Sequence, residues 1–407
     1  MIKRTIEDAV RKALHEWGKM AFVSGPRQVG KTTLAKQFLK GAGAAGTYFN
    51  WDILTDRKRL ARDPYFFEKQ PRPPGRAGLL VFDEIHKYAR WKSYLKGVYD
   101  AFHEQHRILV TGSGRLDLYK KGGESLLGRY VAVPLFPLTV AELLGRRPSW
   151  KEFEAALQAP MRASAKARRV FERLFEFSGF PEPYVKADPE FYRAWSAARS
   201  QLLVREDIRD ATNIRNISLL EHLVHLVEPR VGSPLSINSL REDVGVAFET
   251  VREWLEVLSN FYYFFRVAPY SRKLSRSLLK EKKAYLYDWG EVQNPAARFE
   301  NLVALHLLKA VQTWSALGET RAELYYVRDK DQREVDFLLV ADRRPVVLVE
   351  CKMSDQPLAP SLLYFQERLD VPLAIQLVFE RTRPAEWTHG GKRQWLVSAD
   401  RWLASLS

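Results

Sequence analysis

A glycine-containing segment near the amino terminus gives the clearest chemical signal in the sequence. Residues 25–32 read GPRQVGKT and match the pattern GxxxxGK followed by Ser or Thr at every fixed position. An apolar run at residues 21–24 precedes the segment, and a helical pattern begins near Lys31. Glycines at these places let backbone N–H groups surround phosphate oxygens, and the amino end of the helix adds a favourable dipole. The segment therefore predicts a site for the phosphates of a nucleotide.

The residues of this segment have separate expected roles. The ammonium of Lys31 is expected to reach the β- and γ-phosphate oxygens, and the hydroxyl of Thr32 is expected to bind Mg²⁺. A chance glycine turn ahead of a helix is the alternative, but it does not explain agreement at every position and in both flanking elements. The predicted cofactors are ATP and Mg²⁺, and the predicted binding residues in the loop are Gly25, Pro26, Arg27, Gln28, Val29, Gly30, Lys31, Thr32 and Thr33.

Two adjacent acids follow a second apolar run. Residues 79–82 read LLVF and lead directly into Asp83 and Glu84. Asp83 is expected to stand beside the magnesium ion, and Glu84 is expected to orient and deprotonate the attacking water. A solvated strand end is the alternative, which is frequent for a lone acid but less so for a pair that follows a phosphate loop. A third apolar run ends near Thr111 and Ser113, and either hydroxyl could also contact the water.

A second group of acids lies in the carboxyl-terminal third of the chain. Asp336 and Glu350 each stand where a strand of a predicted hairpin ends, so the two carboxylates could chelate one Mg²⁺ or Mn²⁺ ion. Lys352 points to the same face as Glu350, because strand side chains alternate with a period of two. Such a metal would activate water against a phosphodiester, and Glu300 would join it if its helix packs there. The alternative is a scaffold in which these residues have no catalytic role, and the residues alone leave both open.

A basic stretch follows a helix-turn-helix pattern in the middle of the chain. Residues 236–258 predict two helices joined at Gly245. Between residues 266 and 283 the basic residues are accompanied by a single acid, Glu281, and tyrosines lie nearby. A basic hairpin with aromatic residues suits phosphate contacts and base stacking. The predicted nucleic-acid contacts are Arg272, Lys273, Arg276, Lys280, Lys282 and Lys283.

The second of these helices is poorly suited to reading a base sequence. Its exposed positions include Glu249, Glu253 and Glu256, against Arg252 alone. Phosphates along the major groove repel an acidic helix. We therefore expect DNA contact that does not depend on base sequence and that is made through the hairpin. The alternative is a module that only packs domains together.

Four motifs taken together resemble a known family. They are residues 25–34 (GPRQVGKTTL), 83–87 (DEIHK), 111–113 (TGS) and 127–129 (LGR). The sequence resembles a widespread prokaryotic family of AAA-type P-loop ATPases, whose carboxyl-terminal half is described as a domain of unknown function with a restriction-endonuclease-like core. The resemblance extends over essentially the whole chain, and the first motif is the most specific of the four.

The resemblance implies further roles. It gives Thr111 or Ser113 the role of the polar sensor beside the γ-phosphate. It makes Arg129 a candidate arginine finger that acts on the γ-phosphate in a neighbouring subunit, with a purely structural arginine as the alternative. It also places the two strand acids and Lys352 in the D…ExK core of nucleases. A finger that acts in trans requires a homo-oligomer, of which a hexamer is one form.

The composition limits the classes of protein that remain. The 407 residues include 64 Lys and Arg against 49 Asp and Glu, a net charge of +15, which favours polyanionic partners. The single cysteine excludes a disulfide framework, and the absence of an apolar run of about 18 residues argues against a membrane span. We expect a reduced, cytoplasmic protein that makes no membrane contact.

Alternating apolar runs and helical patterns predict an α/β fold of several modules. Together with the resemblance, this pattern divides the chain into a P-loop AAA-type ATPase core, a helical lid or linker, a winged helix-turn-helix and an α/β restriction-endonuclease-like domain. The corresponding ranges are 1–148, 149–215, 216–292 and 293–407.

Two functions follow from these predictions. The first is an oligomeric, Mg²⁺-dependent ATPase that acts on duplex or branched DNA, with metal-dependent nuclease activity as an open question. The second is an ATP-controlled switch or binding module in which the nuclease-like region is an inactive scaffold.

Overall fold

The chain folds around two β-sheets that are joined by helices. The computed structural model describes residues 2–70, 75, 77–114, 126–159, 164–209, 212, 214–271 and 281–406. Within these residues the strands are β1 (Met20–Ser24), β2 (Gly46–Asn50), β3 (Gly78–Asp83), β4 (His106–Gly112), β5 (Tyr130–Pro134), β6 (Phe264–Pro269), β7 (Lys283–Leu286), β8 (Ala322–Arg328), β9 (Glu334–Ala341), β10 (Arg344–Lys352), β11 (Leu373–Val378), β12 (Ala385–His389) and β13 (Lys392–Ser398).

Helices connect and cover the two sheets. They are α1 (Glu7–Arg11), α2 (Lys31–Ala42), α3 (Leu54–Arg62), α4 (Trp91–Phe102), α5 (Val140–Leu143), α6 (Trp150–Ala156), α7 (Ala165–Phe177), α8 (Pro181–Lys186), α9 (Pro189–Leu202), α10 (Ile217–Val227), α11 (Ile237–Val244), α12 (Phe248–Asn260), α13 (Pro295–Ala316), α14 (Pro360–Leu369) and α15 (Ala399–Leu403). Two π-helical turns, Lys12–Glu16 and Leu203–Ile208, continue α1 and α9. No helix in the described part of the chain is long and apolar enough to cross a bilayer.

The first sheet consists of parallel strands in the order β2-β3-β4-β1-β5. The central strands are buried along almost their whole length, which explains why they show in the sequence as near-continuous apolar runs. The apolar runs at residues 21–24 and 79–82 lie within β1 and β3, and the third run, which ends near Thr111, lies within β4. Because the strands are parallel, their carboxyl ends and the residues that follow them meet at one edge of the sheet.

The middle of the chain contains three helices followed by a hairpin. Helices α10, α11 and α12 precede the antiparallel pair of β6 and β7, and Gly245, with φ 74°, ends α11 as the predicted turn requires. Strand β6 also pairs with β8 through Ala268 and Pro269. The hairpin is therefore part of the second sheet over its described residues and does not project from the fold as a free wing.

The second sheet has the strand order β12-β13-β11-β10-β9-β8-β6-β7 and mixes parallel with antiparallel pairs. Helix α13 packs against it and also contacts β5 of the first sheet. The helix has 22 residues, a length of about 33 Å. Asn294 caps its first turn by accepting hydrogen bonds from the N–H groups of Ala296 and Ala297, and Pro295 is favoured at the first position.

A buried cluster of charges joins α13 to the amino-terminal region. The carboxylate of Glu142 accepts hydrogen bonds from Arg4 Nε (3.1 Å), Lys309 Nζ (2.7 Å) and Thr5 Oγ1 (2.8 Å). Arg4 also donates from Nη1 to the carbonyl oxygen of Val29, at 2.9 Å. Burial alone would raise the pKa of Glu142, but Arg4 and Lys309 lower it to about 2. The cluster therefore ties the glycine segment to α13 through charged groups with almost no access to solvent.

We expect replacement of Glu142 by glutamine to destabilise the fold by about 3–5 kcal/mol, because Arg4 and Lys309 would stay buried without a counter-charge. The measurement is the free energy of unfolding in urea at neutral pH. Glu154 is exposed on α6, and the control variant Glu154→Gln should change this free energy by less than about 0.5 kcal/mol. Equal stability of the two variants would contradict the structural role of the cluster.

Candidate active site

The glycine segment packs closely against the chain that follows β5. A Cβ atom on Gly25 would lie 2.2 Å from the carbonyl oxygen of Leu135, so only glycine fits there without movement of the backbone. Gly30 has φ 104° and caps α2, and Gln28 has φ 64°. Residues with positive φ in a tight loop are typical of backbone anion sites. The segment therefore has a conformation suited to phosphate binding, at the start of a helix.

Lys31 lies at the centre of this loop. Its side chain is buried, and Nζ donates hydrogen bonds to the carbonyl oxygens of Gly25 (2.9 Å) and Pro26 (2.8 Å). Burial lowers the pKa of Lys31, while the nearby carboxylates of Glu84 and Asp83 oppose that change. The loop thus holds an ammonium group at the cleft where phosphates are expected.

The carboxylate of Asp83 accepts hydrogen bonds from three hydroxyl groups. Thr32 Oγ1 and Tyr48 Oη donate to Oδ2 at 2.8 and 2.7 Å, and Thr111 Oγ1 donates to Oδ1. Burial and the hydrogen bond to Asp83 raise the pKa of the Tyr48 phenol. Sequence reasoning did not find Tyr48, which the pairing of β2 with β3 brings next to Val81.

The hydroxyl of Thr32 and the carboxylate of Asp83 fit a magnesium ion that is bound together with a nucleotide. Mg²⁺ prefers oxygen ligands and keeps several waters beside substrate phosphates. Within the described residues, no group of three or more His, Cys, Asp and Glu side chains is arranged to hold a metal ion. The predicted metal roles of Thr32 and Asp83 therefore depend on oxygens supplied by phosphate and water.

Glu84 has an uncommon backbone conformation, with φ 55° and ψ 23°. Positive φ at a non-glycine residue recurs at functional sites. Its Oε2 lies 3.4 Å from Ser113 Oγ, 3.7 Å from His86 Nε2 and 3.8 Å from Lys87 Nζ. Burial raises the pKa of Glu84, whereas it lowers the pKa of the neighbouring His86 to about 3. The raised pKa brings Glu84 closer to the range in which a general base works well at neutral pH.

The structure separates the two candidate sensor residues by what their hydroxyls contact. Thr111 is fully buried and its hydroxyl is used by Asp83. Ser113 lines the cleft, and its hydroxyl lies beside Glu84. The geometry therefore favours Ser113 as the residue that would contact water or the γ-phosphate, and that role stays a prediction.

The cleft above the loop has a volume of about 410 Å³. Its walls come from the loop and α2, from the ends of β2, β3 and β4, and from two positions farther along the chain. The lining residues are Arg27, Gln28, Gly30, Lys31, Thr32, Thr33, Asn50, Asp52, Glu84, Lys87, Ser113, Glu182 and Asp207. The acids Glu182 and Asp207 were not found from the sequence, because no local motif marks them.

Arg129 lies at the opposite edge of the first sheet from the loop. Its carbonyl oxygen accepts a hydrogen bond from the N–H of Met20 at the start of β1, whereas the loop follows the end of β1 at Ser24. The span between them is about 16 Å. The guanidinium pairs with Asp100 at 2.7 and 3.0 Å. Arg129 therefore does not reach the cleft of its own chain, and action on a neighbouring subunit stays a prediction.

The carboxyl-terminal acids converge around a buried lysine. Lys283 Nζ lies 2.7 Å from Glu334 Oε1, 3.1 Å from Glu300 Oε1 and 3.4 Å from Asp336 Oδ1. Burial alone would lower the pKa of Lys283, but these carboxylates outweigh it and raise the pKa above its ordinary value. The hydroxyl of Tyr285 donates to Glu300 at 2.6 Å. The group is thus a charged cluster with an ammonium at its centre.

Glu350 and Lys352 lie beside this cluster and pair with each other. Lys352 Nζ donates to Glu350 Oε1 at 2.8 Å, and the N–H of Cys351 donates to Asp336 Oδ2 at 2.9 Å. Burial, with the charge of Asp336 adding to it, raises the pKa of Glu350. The ammonium of Lys283 stands among the carboxylates that a divalent ion would need. A Mg²⁺ or Mn²⁺ ion therefore does not fit this arrangement, and the geometry does not support the metal roles predicted for Glu300, Asp336 and Glu350.

The predicted nucleic-acid contacts divide into three cases. The prediction for Lys283 does not agree with the structure, because its ammonium is buried and paired with carboxylates. Lys282 is partly buried, and its carbonyl oxygen accepts a hydrogen bond from Leu235. The other four residues, which lie outside the described part of the chain, are Arg272, Lys273, Arg276 and Lys280.

The loop and the strand-end acids are typical of P-loop nucleotide-binding proteins. Comparison with known families agrees with this class. Residues 18–144 match the family model of an AAA domain, so the chain has an AAA domain in its amino-terminal third. Residues 168–294 and 296–398 match two domains of unknown function, DUF8612 and DUF4143.

The particular proteins to which the chain is similar are uncharacterized. A protein of Mycobacterium tuberculosis is 25% identical over 357 residues, which is 84% of this chain and 72% of that protein. A protein of Haemophilus influenzae is 24% identical over 340 residues, 78% of each chain. A protein of Methanocaldococcus jannaschii is 26% identical over 282 residues, 66% of this chain and 60% of that protein.

Solved structures show only distant similarity. A structure describing katanin self-assembly is 14% identical and covers 63% of this chain and 89% of its own, with a TM-score of 0.27. The Drosophila ORC bound to DNA is 11% identical and covers 68% of this chain and 89% of its own, with a TM-score of 0.23. Scores this low support no conclusion about this chain.

Proposed function

We propose that this protein is a Mg²⁺-dependent ATPase. The observation that supports the proposal is the convergence of Lys31, Thr32 and Glu84 at one cleft, with the buried Asp83 hydrogen-bonded to Thr32 behind its wall. A loop suited to phosphates, a buried ammonium, a hydroxyl beside a carboxylate and a second carboxylate of raised pKa are the groups that nucleotide hydrolysis needs. The match of this region to an AAA domain agrees with that chemistry.

Each residue has a task in binding or in proton transfer. The ammonium of Lys31 pairs with the β- and γ-phosphate oxygens, which are charged acceptors and stronger than the two loop carbonyls. Thr32, beside Asp83, would hold Mg²⁺, which would neutralise charge on the phosphates. The carboxylate of Glu84 orients the attacking water and accepts its proton, and the hydroxyl of Ser113 donates a hydrogen bond at the same place.

DNA is the partner that the charge distribution favours. The net charge of +15 and the basic residues between positions 266 and 283 support attraction to phosphates without base reading. Helix α12 stays acidic at its surface, where Glu249 and Glu256 form ion pairs with Arg252 and Arg266. The proposed contact is therefore to the backbone of duplex or branched DNA.

We propose no cleavage of DNA at the carboxyl-terminal cluster. The ammonium of Lys283 supports a scaffold role, as in an ATP-controlled binding module. We also propose a homo-oligomer. Arg129 does not reach the cleft of its own chain, so it can act as an arginine finger only on a γ-phosphate that a second subunit binds.

The test is ATP turnover by the purified protein with Mg²⁺, alone and with single-stranded, duplex or four-way-junction DNA. We expect turnover that requires Mg²⁺ and rises with one DNA form, and the rise should weaken as salt increases from about 50 mM to about 200 mM. Turnover that no DNA changes would favour the nucleotide switch without DNA. An absence of turnover under every condition would contradict the ATPase itself.

A further inference from the structure

The nucleotide cleft is bounded on one side by a segment from outside the AAA domain. The π-helical turn Leu203–Ile208 is anchored by Leu203, Val204 and Ile208, which are buried in the same core as α10–α12. Asp207 points into the cleft from this turn with a side chain that is only 8% exposed. An acid from the middle of the chain therefore faces the loop that is expected to bind phosphates.

Asp207 is paired with an arginine of the phosphate loop. Arg27 Nη1 donates to Asp207 Oδ1 at 2.7 Å, and Arg27 Nη2 lies 3.5 Å from Glu206 Oε2. Asp207 Oδ2 is buried and has no hydrogen-bond partner among the described residues. Burial raises the pKa of Asp207, and Arg27 opposes that change. One carboxylate oxygen thus pairs with Arg27, and the other has no hydrogen-bond partner in the part of the chain that the structure describes.

A bound triphosphate would compete for the same guanidinium. Arg27 and Lys31 line one cleft, and phosphate oxygens accept hydrogen bonds from a planar guanidinium at least as well as a carboxylate does. The negative charge of the phosphates would also repel Asp207 across the cleft. A diphosphate leaves the γ position empty and competes less.

We propose that Arg27 and Asp207 form a γ-phosphate sensor, in which a nucleoside triphosphate takes Arg27 from Asp207 and a diphosphate does not. Arg27 is then a substrate-binding residue, and Asp207 is a positioning residue that sets the preference between the two nucleotides. This inference rests on nucleotide binding at the proposed site, and it adds how the middle of the chain detects the nucleotide.

Two contacts connect the region of the cleft to the middle helices. Arg205 Nε, on the same turn as Asp207, pairs with Glu221 of α10 at 2.6 Å. Ser24, at the start of the loop, shares a 2.7 Å hydrogen bond with Tyr262, which follows α12 and has φ 59°. Release of Asp207 would therefore loosen the contact made through the turn, and leave the hydrogen bond between Ser24 and Tyr262 in place.

The test compares the affinities of Mg²⁺-AMP-PNP and Mg²⁺-ADP for the full chain by calorimetry. Asp207→Asn should tighten AMP-PNP binding by about tenfold, and Arg27→Gln should weaken it by about 10- to 100-fold, with ADP changed by less than about threefold in each. Arg27→Lys, which keeps the charge but not the fork, should restore part of the affinity. In the double variant the effect of Asp207→Asn should vanish, because its partner is gone.

Asp52→Asn is the matched control. Asp52 lines the same cleft but pairs with Lys87, at 2.7 Å, and not with Arg27. Its replacement should leave the ratio of the two affinities unchanged. Amide hydrogen exchange at residues 203–208 gives a second readout, with faster exchange expected on addition of AMP-PNP than of ADP.

The possible outcomes separate this inference from the ATPase proposal. If the wild-type protein binds neither nucleotide, both fail. If it binds both nucleotides but Asp207→Asn shifts them equally, or weakens AMP-PNP, the sensor is wrong and the nucleotide site stands. If exchange at residues 203–208 is the same with AMP-PNP and ADP, the release of the turn is wrong.

Discussion

Replacement of Lys31 by alanine is expected to reduce ATP turnover by about 10²–10³-fold, the range found when one preorganised electrostatic group is removed from an active site. The ammonium is buried and donates hydrogen bonds to two carbonyl oxygens of the loop, so water in the variant would not replace its charge. Affinity for Mg²⁺-ATP should fall as well, because the β- and γ-phosphate oxygens lose a charged donor. The measurement is steady-state phosphate release over a range of ATP concentrations.

A lysine on the same helix supplies the control for this variant. Lys40 is exposed in the last turn of α2 and does not line the cleft. Lys40→Ala should keep turnover within about twofold of the wild-type rate, as expected for a surface substitution. Circular dichroism should show both variants folded. Turnover by Lys31→Ala at the wild-type rate would contradict the assignment of the loop as a phosphate-binding site.

Replacement of Glu84 by glutamine is expected to lower kcat by about 10²–10⁴-fold while nucleotide affinity changes little. Glutamine keeps the shape and the hydrogen-bonding capacity of the side chain but does not accept a proton from water. The variant should therefore accumulate in the ATP-bound state. The measurements are single-turnover hydrolysis and equilibrium binding of ATP, with Glu104→Gln, at an exposed glutamate of the same domain, as the control.

The pH dependence gives an independent check on Glu84. A base must be deprotonated to act, and burial raises the pKa of Glu84. Activity of the wild-type protein should therefore be lost on acidification at a higher pH than an ordinary glutamate would give. This acid limb should be absent from the residual activity of Glu84→Gln. If Glu84→Gln keeps a wild-type kcat, another group is the base.

The sequence was sufficient to predict that the glycine loop and the strand-end acids lie at one edge of the first sheet, because the parts of this arrangement are local. The phosphate loop is a run of consecutive residues between a buried strand and a helix, and both have clear apolar patterns. Asp83 ends β3 and Glu84 follows it, and only β4 separates β3 from β1 in the same parallel sheet, so the topology brings both acids to the edge where the loop lies. Functional side chains at strand ends can thus be predicted from the sequence.

Other residues of the site depend on contacts that no local pattern contains. Asp207 lies 180 positions from Arg27 along the chain, and it reaches the cleft only because the helices that follow the AAA domain pack back onto it. Tyr48 lies in β2, and its hydrogen bond to Asp83 requires that β2 lies beside β3. Neither contact can be predicted without the tertiary fold.

Lys283 shows how a charged residue can be misinterpreted from its neighbours in sequence. It ends a basic run and so indicates an exposed surface, yet it also begins the apolar stretch Lys283–Leu286, which is buried in full. The pairing of β7 with β6 and the packing of α13 decide between the two. The acids that surround Lys283 come from α13 and β9, so its charge is balanced by residues distant in sequence.

The charge cluster of Arg4, Glu142 and Lys309 has a consequence for dissecting the protein. A fragment that ends at residue 148 would keep every residue of the phosphate loop and every strand of the first sheet, yet Glu142 would lose Lys309 and Val140 would lose the imidazole of His306 that accepts its N–H. We therefore expect that such a fragment does not fold as it does in the intact chain. The proposed hydrolysis of ATP should therefore be measured with the intact chain, in which α13 contacts β5 of the first sheet.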